Sequence, residues 1–393
     1  MLNEKMMGLG KKSSAIRELF EYGNKRKAEI GNDNVFDFSI GNPSIPAPET
    51  VTETMLNLLS TKEPLALHGY TSAAGDMGVR TAIAEDINVR FNADASPSHI
   101  YMTCGAAASL TITLNAIINE GDEVILLAPF FPEYVVFAEK AGAVIRKVNS
   151  SEDFQIDFTA LSEAINEKTK AIIINSPNNP SGAVLSAETI TRLSELLNEK
   201  AAEFGNDIYI VSDEPYRELV YGGITVPYIP NFYDNTVVCY SFSKSLSLPG
   251  ERIGYIYVST KAKDSTDLFA AVCGAGRALG YVCAPSLLQY TVKECLGKTA
   301  DITVYEENRN LFYNALTEYG YSVVRPDGAF YLFVKSPEPD ATAFCERAKK
   351  YEILVVPSDS FGCEGYVRIS YCVSTEMIKK SLPAFKKLME EYR

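Results

Sequence analysis

A lysine that follows a predicted buried strand gives the clearest indication of chemistry in this chain. Residues 236–242 are rich in β-branched and aromatic side chains; they include Ser241, and Ser243, Lys244 and Arg252 come after them. A lysine amine can form a Schiff base with an aldehyde, and serine hydroxyls and a guanidinium can bind a phosphate dianion. The stretch therefore fits an aldehyde cofactor that carries a phosphate. Taken alone, it fits a solvent-exposed loop lysine beside a surface arginine equally well.

Small, aromatic or polar residues follow the other predicted strands as well. After strand 99–103 come Gly105, Ala106 and Ala107, where the start of a helix would offer free amide groups to a phosphate. The other groups are Phe130 and Phe131 after strand 122–128, Asn178 and Asn179 after strand 170–175, and Asp213 and Tyr216 after strand 207–212. Each group alone could be a cap, a turn or a core aromatic. Ligands gather at the carboxyl ends of strands in parallel sheets, so their joint occurrence predicts one site.

Strands that alternate with helices must position these residues. The pattern predicts helices at 76–91, 105–118, 132–142 and 187–204, and it predicts strands at 99–103, 122–128, 143–148, 170–175, 207–212 and 236–242. Short apolar strands in this arrangement indicate an α/β fold whose mostly parallel sheet is covered by helices on both faces.

A second, smaller α+β unit is predicted from the two ends of the chain. After Gly254 the pattern turns helical at 260–275, 284–297 and 301–319, and it continues with strands 321–325, 329–334, 353–356 and 366–371 and helices 340–351 and 375–391. At the amino end, helix 13–30 and strand 35–40 precede a proline-rich segment. We expect a large domain at 46–290 and a small domain made of 1–45 and 291–393.

Composition excludes several classes of protein. The chain has 393 residues and a net charge of −13, which argues against binding to nucleic acid or to an anionic membrane. Its eight cysteines form no Cys-x-x-Cys pair and only two histidines are present, so no metal site is predicted. Neither a signal peptide nor a run of about 18 apolar residues occurs, and we expect a cytoplasmic protein.

Three ordered motifs resemble the class I/II aminotransferases, the fold-type I enzymes that use pyridoxal 5′-phosphate (PLP). They are Asn178-Asn179-Pro180-Ser181-Gly182, Asp213-Glu214-Pro215-Tyr216 and Ser241-Phe242-Ser243-Lys244 with Arg252 and Gly254. The resemblance runs from Gly41 to Arg368 and is to the bacterial aspartate, aromatic and alanine types. It implies a large domain with a seven-stranded sheet, and it implies an aminotransferase of amino-acid metabolism and biosynthesis that works by a ping-pong mechanism.

The resemblance also assigns roles to the cofactor residues. Lys244 would form the Schiff base with PLP and then act as the proton-transfer base. Asp213 would face the pyridine nitrogen, and Tyr216 and Asn179 would hydrogen-bond the phenolic oxygen. Phe131 would stack on the ring. The phosphate would be bound by Gly105, Ala106, Ala107, Ser241, Ser243 and Arg252, and by Tyr70 of a neighbouring subunit, which implies a homodimer.

Substrate residues follow from the same resemblance. Arg368 would bind the substrate α-carboxylate, although a structural salt bridge is the alternative for a buried arginine. Gly41, Asn42 and Asn179 would line the same pocket. Some bacterial aspartate aminotransferases of similar sequence carry a lysine shortly after the phosphate-binding glycine, and no cation occurs in residues 105–109 here. The amino donor and the acceptor 2-oxo acid therefore stay open.

Three other functions compete with that of an aminotransferase. A PLP-dependent carbon–sulfur β-lyase of the same fold would share the cofactor residues, so the sequence discriminates poorly against it. A PLP-binding transcription regulator would need a long amino-terminal DNA-binding module, whereas only about 30 residues precede the first strand. A P-loop or dinucleotide-binding protein is excluded, because neither glycine motif follows a strand.

Overall fold

The structure is a computed structural model that describes residues 2–11 and 15–393. Its strands are β1 (Phe36–Asp37), β2 (Ile100–Thr103), β3 (Glu123–Ala128), β4 (Val144–Asn149), β5 (Thr169–Asn175), β6 (Tyr209–Asp213), β7 (Thr236–Ser241), β8 (Gly254–Val258), β9 (Ser322–Val323), β10 (Tyr331–Lys335), β11 (Ile353–Leu354), β12 (Val356–Pro357) and β13 (Tyr366–Ser370).

The helices alternate with these strands through the middle of the chain. They are α1 (Glu4–Lys11), α2 (Ala15–Ile30), α3 (Glu49–Thr61), α4 (Pro64–His68), α5 (Met77–Phe91), α6 (Ala106–Ile117), α7 (Glu133–Lys140), α8 (Phe158–Ala164), α9 (Ala187–Phe204), α10 (Phe242–Ser245), α11 (Ser265–Leu279), α12 (Ser286–Glu294), α13 (Thr303–Glu318), α14 (Ala341–Ala348) and α15 (Thr375–Glu390).

The central sheet has seven strands in the order β2-β8-β7-β6-β5-β3-β4. Strands β7, β6, β5, β3 and β4 are parallel, and β8 runs antiparallel to both of its neighbours. The α/β fold with a mostly parallel sheet is therefore confirmed. Because the parallel strands end at the same edge, Asn175 of β5 lies opposite Asp213 of β6, and Asp213 lies opposite Cys239 of β7.

Alternate residues of the sheet bury themselves in different cores. Val124 and Leu126 face a core shared with α6, α7 and α11, whereas Ile125 faces a core shared with α8 and α9. At the β2 end, Ile100 packs with residues of α5 and α12. Helices cover both faces, which explains why these strands read as continuous apolar runs.

The amino-terminal segment packs with the carboxyl-terminal elements, as expected. Strand β1 pairs in parallel with β11, and Phe38 lies in a fully buried cluster with Phe312 and Phe385. A separate four-stranded sheet has the order β12-β13-β10-β9 with antiparallel pairing. This sheet supplies Arg368 from β13 and Tyr331 from β10.

Several predicted boundaries need correction. The sequence pattern gave no strand at β8, because the residues after Gly254 were interpreted as the start of a helical region; the continuous run of buried aromatic and β-branched residues there forms the seventh strand. Predicted strand 353–356 is divided between β11 and β12, which belong to different sheets. Helices α1, α4, α8 and α10 were not predicted, and residues 13 and 14 of predicted helix 13–30 lie outside the described residues.

The division into domains stays a prediction. Its boundary at residue 290 falls inside α12, whose buried residues Leu288 and Val292 belong to the core around α5 and β2. Among the residues described, no helix is long and apolar enough to cross a membrane.

Candidate active site

A cavity of about 300 Å³ lies where the carboxyl ends of the parallel strands meet the smaller sheet. Most of the residues predicted from the motifs line it. These are Gly41, Ala106, Ala107, Phe131, Asn179, Asp213, Tyr216, Ser241, Ser243, Lys244, Arg252 and Arg368. The separate strand ends therefore converge on one cavity.

Lys244 lies in α10, a single short turn that directly follows β7 and lines the cavity. Ser241 caps α10 by accepting a hydrogen bond from the backbone N–H of Ser243 at 3.3 Å, which holds the lysine just beyond the strand end. The Lys244 ammonium donates to the carbonyl oxygen of Gly41 at 2.8 Å. The pKa of Lys244 is lowered to about 8, chiefly by burial; Cys372 opposes this shift, and the nearby Arg252 and Arg368 add to it. The amine is therefore partly neutral near neutral pH.

Asp213, at the end of β6, is a carboxylate that is only 4% exposed. Its Oδ2 accepts a hydrogen bond from the Tyr134 hydroxyl at 2.5 Å, while its Oδ1 is buried and has no partner among the described residues. Burial raises the pKa of Asp213 to about 7, and the hydrogen bond from Tyr134 acts in the opposite direction. A buried carboxylate oxygen without a partner is a strong acceptor for a cationic N–H group.

The opposite end of the cavity is built for an anion. Helix α6 begins after Gly105, whose φ of +88° suits glycine, so the first amides of the helix are free. Arg252 approaches the backbone here, and a Cβ on Gly105 would lie 3.0 Å from the Arg252 Nη2. The hydroxyls of Ser241 and Ser243 are 2.8 Å apart, and Arg252 Nη1 lies 3.5 Å from Ser243 Oγ.

Arg368 enters the cavity from β13 and is 2% exposed. Its Nη1 donates to Asn179 Oδ1 at 3.1 Å and its Nη2 donates to the carbonyl of Ser39 at 2.7 Å, while its Nε has no partner in residues 2–11 and 15–393. No carboxylate of the described chain lies within salt-bridge distance of this guanidinium. A structural ion pair therefore does not account for Arg368, and the charge is left for an anionic ligand.

Three predicted residues lie outside the cavity lining. Gly105 stands directly behind it, at the start of α6. Asn42 is exposed, and Tyr70 is 98% exposed. Ile16 of α2 lines the cavity, whereas the adjacent Arg17 has an exposed side chain.

Several cavity residues were not predicted. Tyr134 holds Asp213, and Tyr331 forms a hydrogen bond with Tyr216 between hydroxyls 2.9 Å apart. Asn175 orients the chain nearby, because its Nδ2 donates to the carbonyl of Asp213 and its Oδ1 accepts from the N–H of Asn179. Asn175 could have been found from its place at a strand end. Tyr134 and Tyr331 gave no such signal, since each sits in an apolar run that is typical of a core.

Comparison with known proteins settles which family builds such a site. The family model for aminotransferase class I and II matches residues 33–385. The chain belongs to the class I and II aminotransferases. A solved aminotransferase from Eubacterium rectale is 57% identical, with a TM-score of 0.98 over 100% of this chain and 99% of that one.

The names of more distant relatives include a substrate. An aspartate aminotransferase from Thermotoga maritima is 31% identical and covers 93% of this chain and 95% of its own length. A probable aspartate/prephenate aminotransferase from Aquifex aeolicus is also 31% identical and covers 91% and 92%. These similarities confirm the fold-type I architecture and an aminotransferase enzyme, in a family whose members use PLP.

The buried carboxyl of Asp213 should make the stability of the protein depend on pH. A carboxyl whose pKa rises on folding, from about 4 to about 7, destabilises the folded protein progressively as pH rises through that window. In protein freed of small molecules, Asp213→Asn removes this penalty, because the amide never ionises. We expect the free energy of unfolding of the variant to gain about 2 to 3 kcal/mol on that of the natural protein between pH 5 and pH 8.

Urea unfolding at several pH values measures this difference. Asp94→Asn is the matched control, because Asp94 is an exposed carboxylate far from the cavity lining, and it should not change the pH dependence. If the difference between the Asp213 variant and the natural protein is the same at pH 5 and pH 8, Asp213 is not the buried acid described above.

Proposed function

We propose that this aminotransferase moves the amino group of an L-amino acid to a 2-oxo acid in two half-reactions of a ping-pong cycle. The observation that carries the proposal is the pairing of two unsatisfied buried groups in one cavity. Within the described part of the chain, Asp213 Oδ1 has no donor and Arg368 Nε has no acceptor, and the Lys244 amine lines the same cavity. Such groups fit a cationic ring nitrogen, a carboxylate and an aldehyde, respectively.

The cavity residues fit PLP at each of its polar positions. Asp213 Oδ1 suits the pyridine nitrogen, and the phosphate suits the anion site of Ser241, Ser243 and Arg252 with the α6 amides. Phe131 lines the cavity and offers a ring face. Tyr216 and Asn179 line the same cavity and are the proposed partners of the phenolic oxygen; the Asn179 Oδ1 already accepts from Arg368, which leaves the Nδ2 to donate.

PLP, when bound, supplies a conjugated ring that withdraws electrons from the carbon that loses its hydrogen. The contribution of Asp213 is to keep the ring nitrogen protonated. A cationic N–H beside Oδ1 favours the ionised carboxylate and so opposes the effect of burial on its pKa. The hydrogen bond from Tyr134 fixes the other oxygen, which holds the carboxylate in one orientation.

Lys244 is the residue that we propose binds the aldehyde and then carries the proton. Its depressed pKa leaves a useful fraction of neutral amine at neutral pH, which a base or nucleophile requires. Its present acceptor, the Gly41 carbonyl, holds Nζ inside the cavity without adding a negative charge. A carboxylate in that place would have raised the pKa of the amine and weakened it as a nucleophile.

Arg368 is the proposed clamp for the substrate α-carboxylate. Its two occupied nitrogens donate to neutral oxygens, so the guanidinium is oriented and its charge is not neutralised. A carboxylate that enters the cavity would complete the charge pair and satisfy Nε. Gly41 and Asn179, which touch Lys244 and Arg368, would fix the rest of the substrate beside them, and Asn42 stays a predicted neighbour of the substrate.

The donor that we propose is an aspartate-like, aromatic or alanine-like L-amino acid. The cationic residues in the described cavity lining are Lys244, Arg252 and Arg368, and each already has a proposed partner. A second carboxylate, as in aspartate, would need a cation from outside this lining. The apolar lining residues Ile16 and Leu110 are compatible with an uncharged side chain.

A homodimer with shared sites is the proposed assembly. Tyr70 is 98% exposed, and its surroundings on α3 and α4 expose Leu56, Leu59 and Leu65 by more than half. Helix α3 buries only Val51 within its own chain. Exposed apolar side chains of this density are typical of a protein interface, and a second copy there would bring Tyr70 to the partner's phosphate site.

Addition of single amino acids to the purified, PLP-loaded protein tests the proposed reaction. A true donor should bleach the visible absorbance of the bound cofactor and release its 2-oxo acid in a stoichiometric half-reaction. A 2-oxo acid should then restore the absorbance. The panel is aspartate, glutamate, alanine, phenylalanine and cystathionine. Lys244→Ala should show neither change, whereas Lys261→Ala, on the surface, should behave as the natural protein.

Two other results would contradict the proposal. Pyruvate and ammonia released from cystathionine while the absorbance persists would identify a β-lyase. Failure of the protein to acquire visible absorbance with PLP would remove the cofactor from the account.

The shared site predicts a defect in cofactor binding from a fully exposed residue. Tyr70→Phe removes one hydroxyl that we expect to donate to the partner's phosphate, and PLP should bind about 5- to 20-fold more weakly. Equilibrium dialysis measures the affinity, and light scattering should show a dimer for both proteins. Tyr22→Phe, another exposed tyrosine, is the control. A monomer, or an unchanged affinity in a dimer, contradicts the shared site.

A further inference from the structure

Tyr331 places a buried hydroxyl in the cavity, between Tyr216 and Arg368. It begins β10, is 2% exposed and lines the cavity. Its hydroxyl lies 2.9 Å from that of Tyr216, and the Arg368 guanidinium lies 4.7 Å from the centre of its ring. The proposed reaction uses both Tyr216 and Arg368 and assigns nothing to Tyr331.

The hydroxyls of Tyr216 and Tyr331 carry one hydrogen each, and a single hydrogen bond joins them. Within the described chain, neither hydroxyl has a further hydrogen-bond partner than the other. One hydroxyl therefore donates to the other, and the acceptor keeps a hydrogen that must point elsewhere. If Tyr331 donates, the free hydrogen belongs to Tyr216 and can face the ligand. If Tyr216 donates, its hydrogen is consumed by Tyr331.

The charges on either side favour donation from Tyr331. The positive guanidinium of Arg368 lies against the ring of Tyr331, whereas Tyr216 is acted on in opposite directions by Arg368 and by the carboxylate of Asp213. Burial raises the pKa of both hydroxyls. The pKa of Tyr331 reaches about 12, and Arg368 is the main group that opposes the rise. The pKa of Tyr216 rises well above its usual value, with Tyr331 and Asp213 adding to the effect of burial and Arg368 opposing it. The more acidic hydroxyl is the better donor.

We infer that Tyr331 is a positioning residue that donates its hydrogen to Tyr216 and so points the Tyr216 hydrogen at the cofactor's phenolic oxygen. This rests on the proposed function, in which Tyr216 binds that oxygen. Donation from Tyr331 also polarises Tyr216 and strengthens the bond that Tyr216 makes in turn, because hydrogen bonds in a chain reinforce each other.

Gly41 is the residue that leaves room for this arrangement. A Cβ built on Gly41 would lie 2.0 Å from the Tyr331 hydroxyl oxygen, so any side chain there would displace the hydroxyl. The Gly41 carbonyl accepts the hydrogen bond from Lys244. The same residue therefore accepts a hydrogen bond from Lys244 and lies directly against the hydroxyl of Tyr331.

Tyr331→Phe tests the inference, because it removes the hydroxyl and keeps the ring beneath Arg368. The first readout is a substrate-free absorbance titration of the PLP-loaded protein. With a weaker bond from Tyr216 to the phenolic oxygen, the pH at which the cofactor's absorbance changes should move upward, since less of the ionised oxygen is stabilised. The second readout is kinetic: kcat should fall about 10-fold, whereas the KM for the amino donor should change by less than about 2-fold.

Three further variants separate positioning from a general effect on the fold. Tyr371→Phe is the control, because Tyr371 is an equally buried tyrosine that donates to the Ala329 carbonyl at 3.2 Å and does not line the cavity. It should leave the titration unchanged. In a Tyr216→Phe background, Tyr331→Phe should add no further shift, because its effect passes through Tyr216. Gly41→Ala should reproduce the upward shift by pushing the hydroxyl away.

The outcomes distinguish this inference from the proposed function. If the titration of Tyr331→Phe matches that of the natural protein, or if the shift is equally large in the Tyr216→Phe background, Tyr331 does not act through Tyr216. A protein that acquires no visible absorbance with PLP fails the proposed function instead.

Discussion

Asp213 is an acid that the fold holds out of water without giving it a full set of partners. One carboxylate oxygen accepts from the Tyr134 hydroxyl and the other has no donor among the residues described, so the fold contains a buried group that is costly in free energy. A cationic nitrogen at Oδ1 would remove that cost. Relief of the cost would then contribute to the free energy of binding such a ligand. The other charged residues of the site, Lys244, Arg252 and Arg368, line the same cavity as this unpartnered oxygen.

The sheet enforces the arrangement through register. Asn175 and Asp213 lie opposite each other on β5 and β6, and β7 delivers Lys244 to the same edge. The polar partners of the charged groups are neutral: a carbonyl for Lys244, and an amide and a carbonyl for Arg368. Neutral partners orient a charge and leave it unneutralised, which is the condition for binding a charged substrate strongly.

Most of the fold and of the cavity lining could be predicted from the sequence. Helix α9 has the predicted bounds, and Asp213, Lys244 and Arg368 line one cavity as expected. Strand ends in a parallel sheet are recognisable because apolar runs stop abruptly at polar or small residues. The predicted roles of these side chains are supported by the geometry and stay proposals.

The parts that were missed depend on contacts between distant segments. Strand β8 was missed because an antiparallel return strand breaks the alternation of strands and helices. Tyr134 and Tyr331 were missed because an aromatic residue in an apolar run is typical of a core, and only tertiary packing shows which hydroxyl meets Asp213 or Tyr216. Tyr70 stays a prediction, since its proposed partner lies in a second copy of the chain.

Exchange of the donor's Cα hydrogen with solvent tests the central claim most directly. The PLP-loaded protein, incubated in D₂O with its amino donor and without a 2-oxo acid, should replace that hydrogen with deuterium, as followed by proton NMR. Lys244→Arg keeps a positive charge and loses the titratable amine, so exchange should slow by about 10²- to 10⁴-fold even where cofactor and donor still bind. Exchange at an unchanged rate in this variant would show that another group carries the proton and would contradict the role given to Lys244.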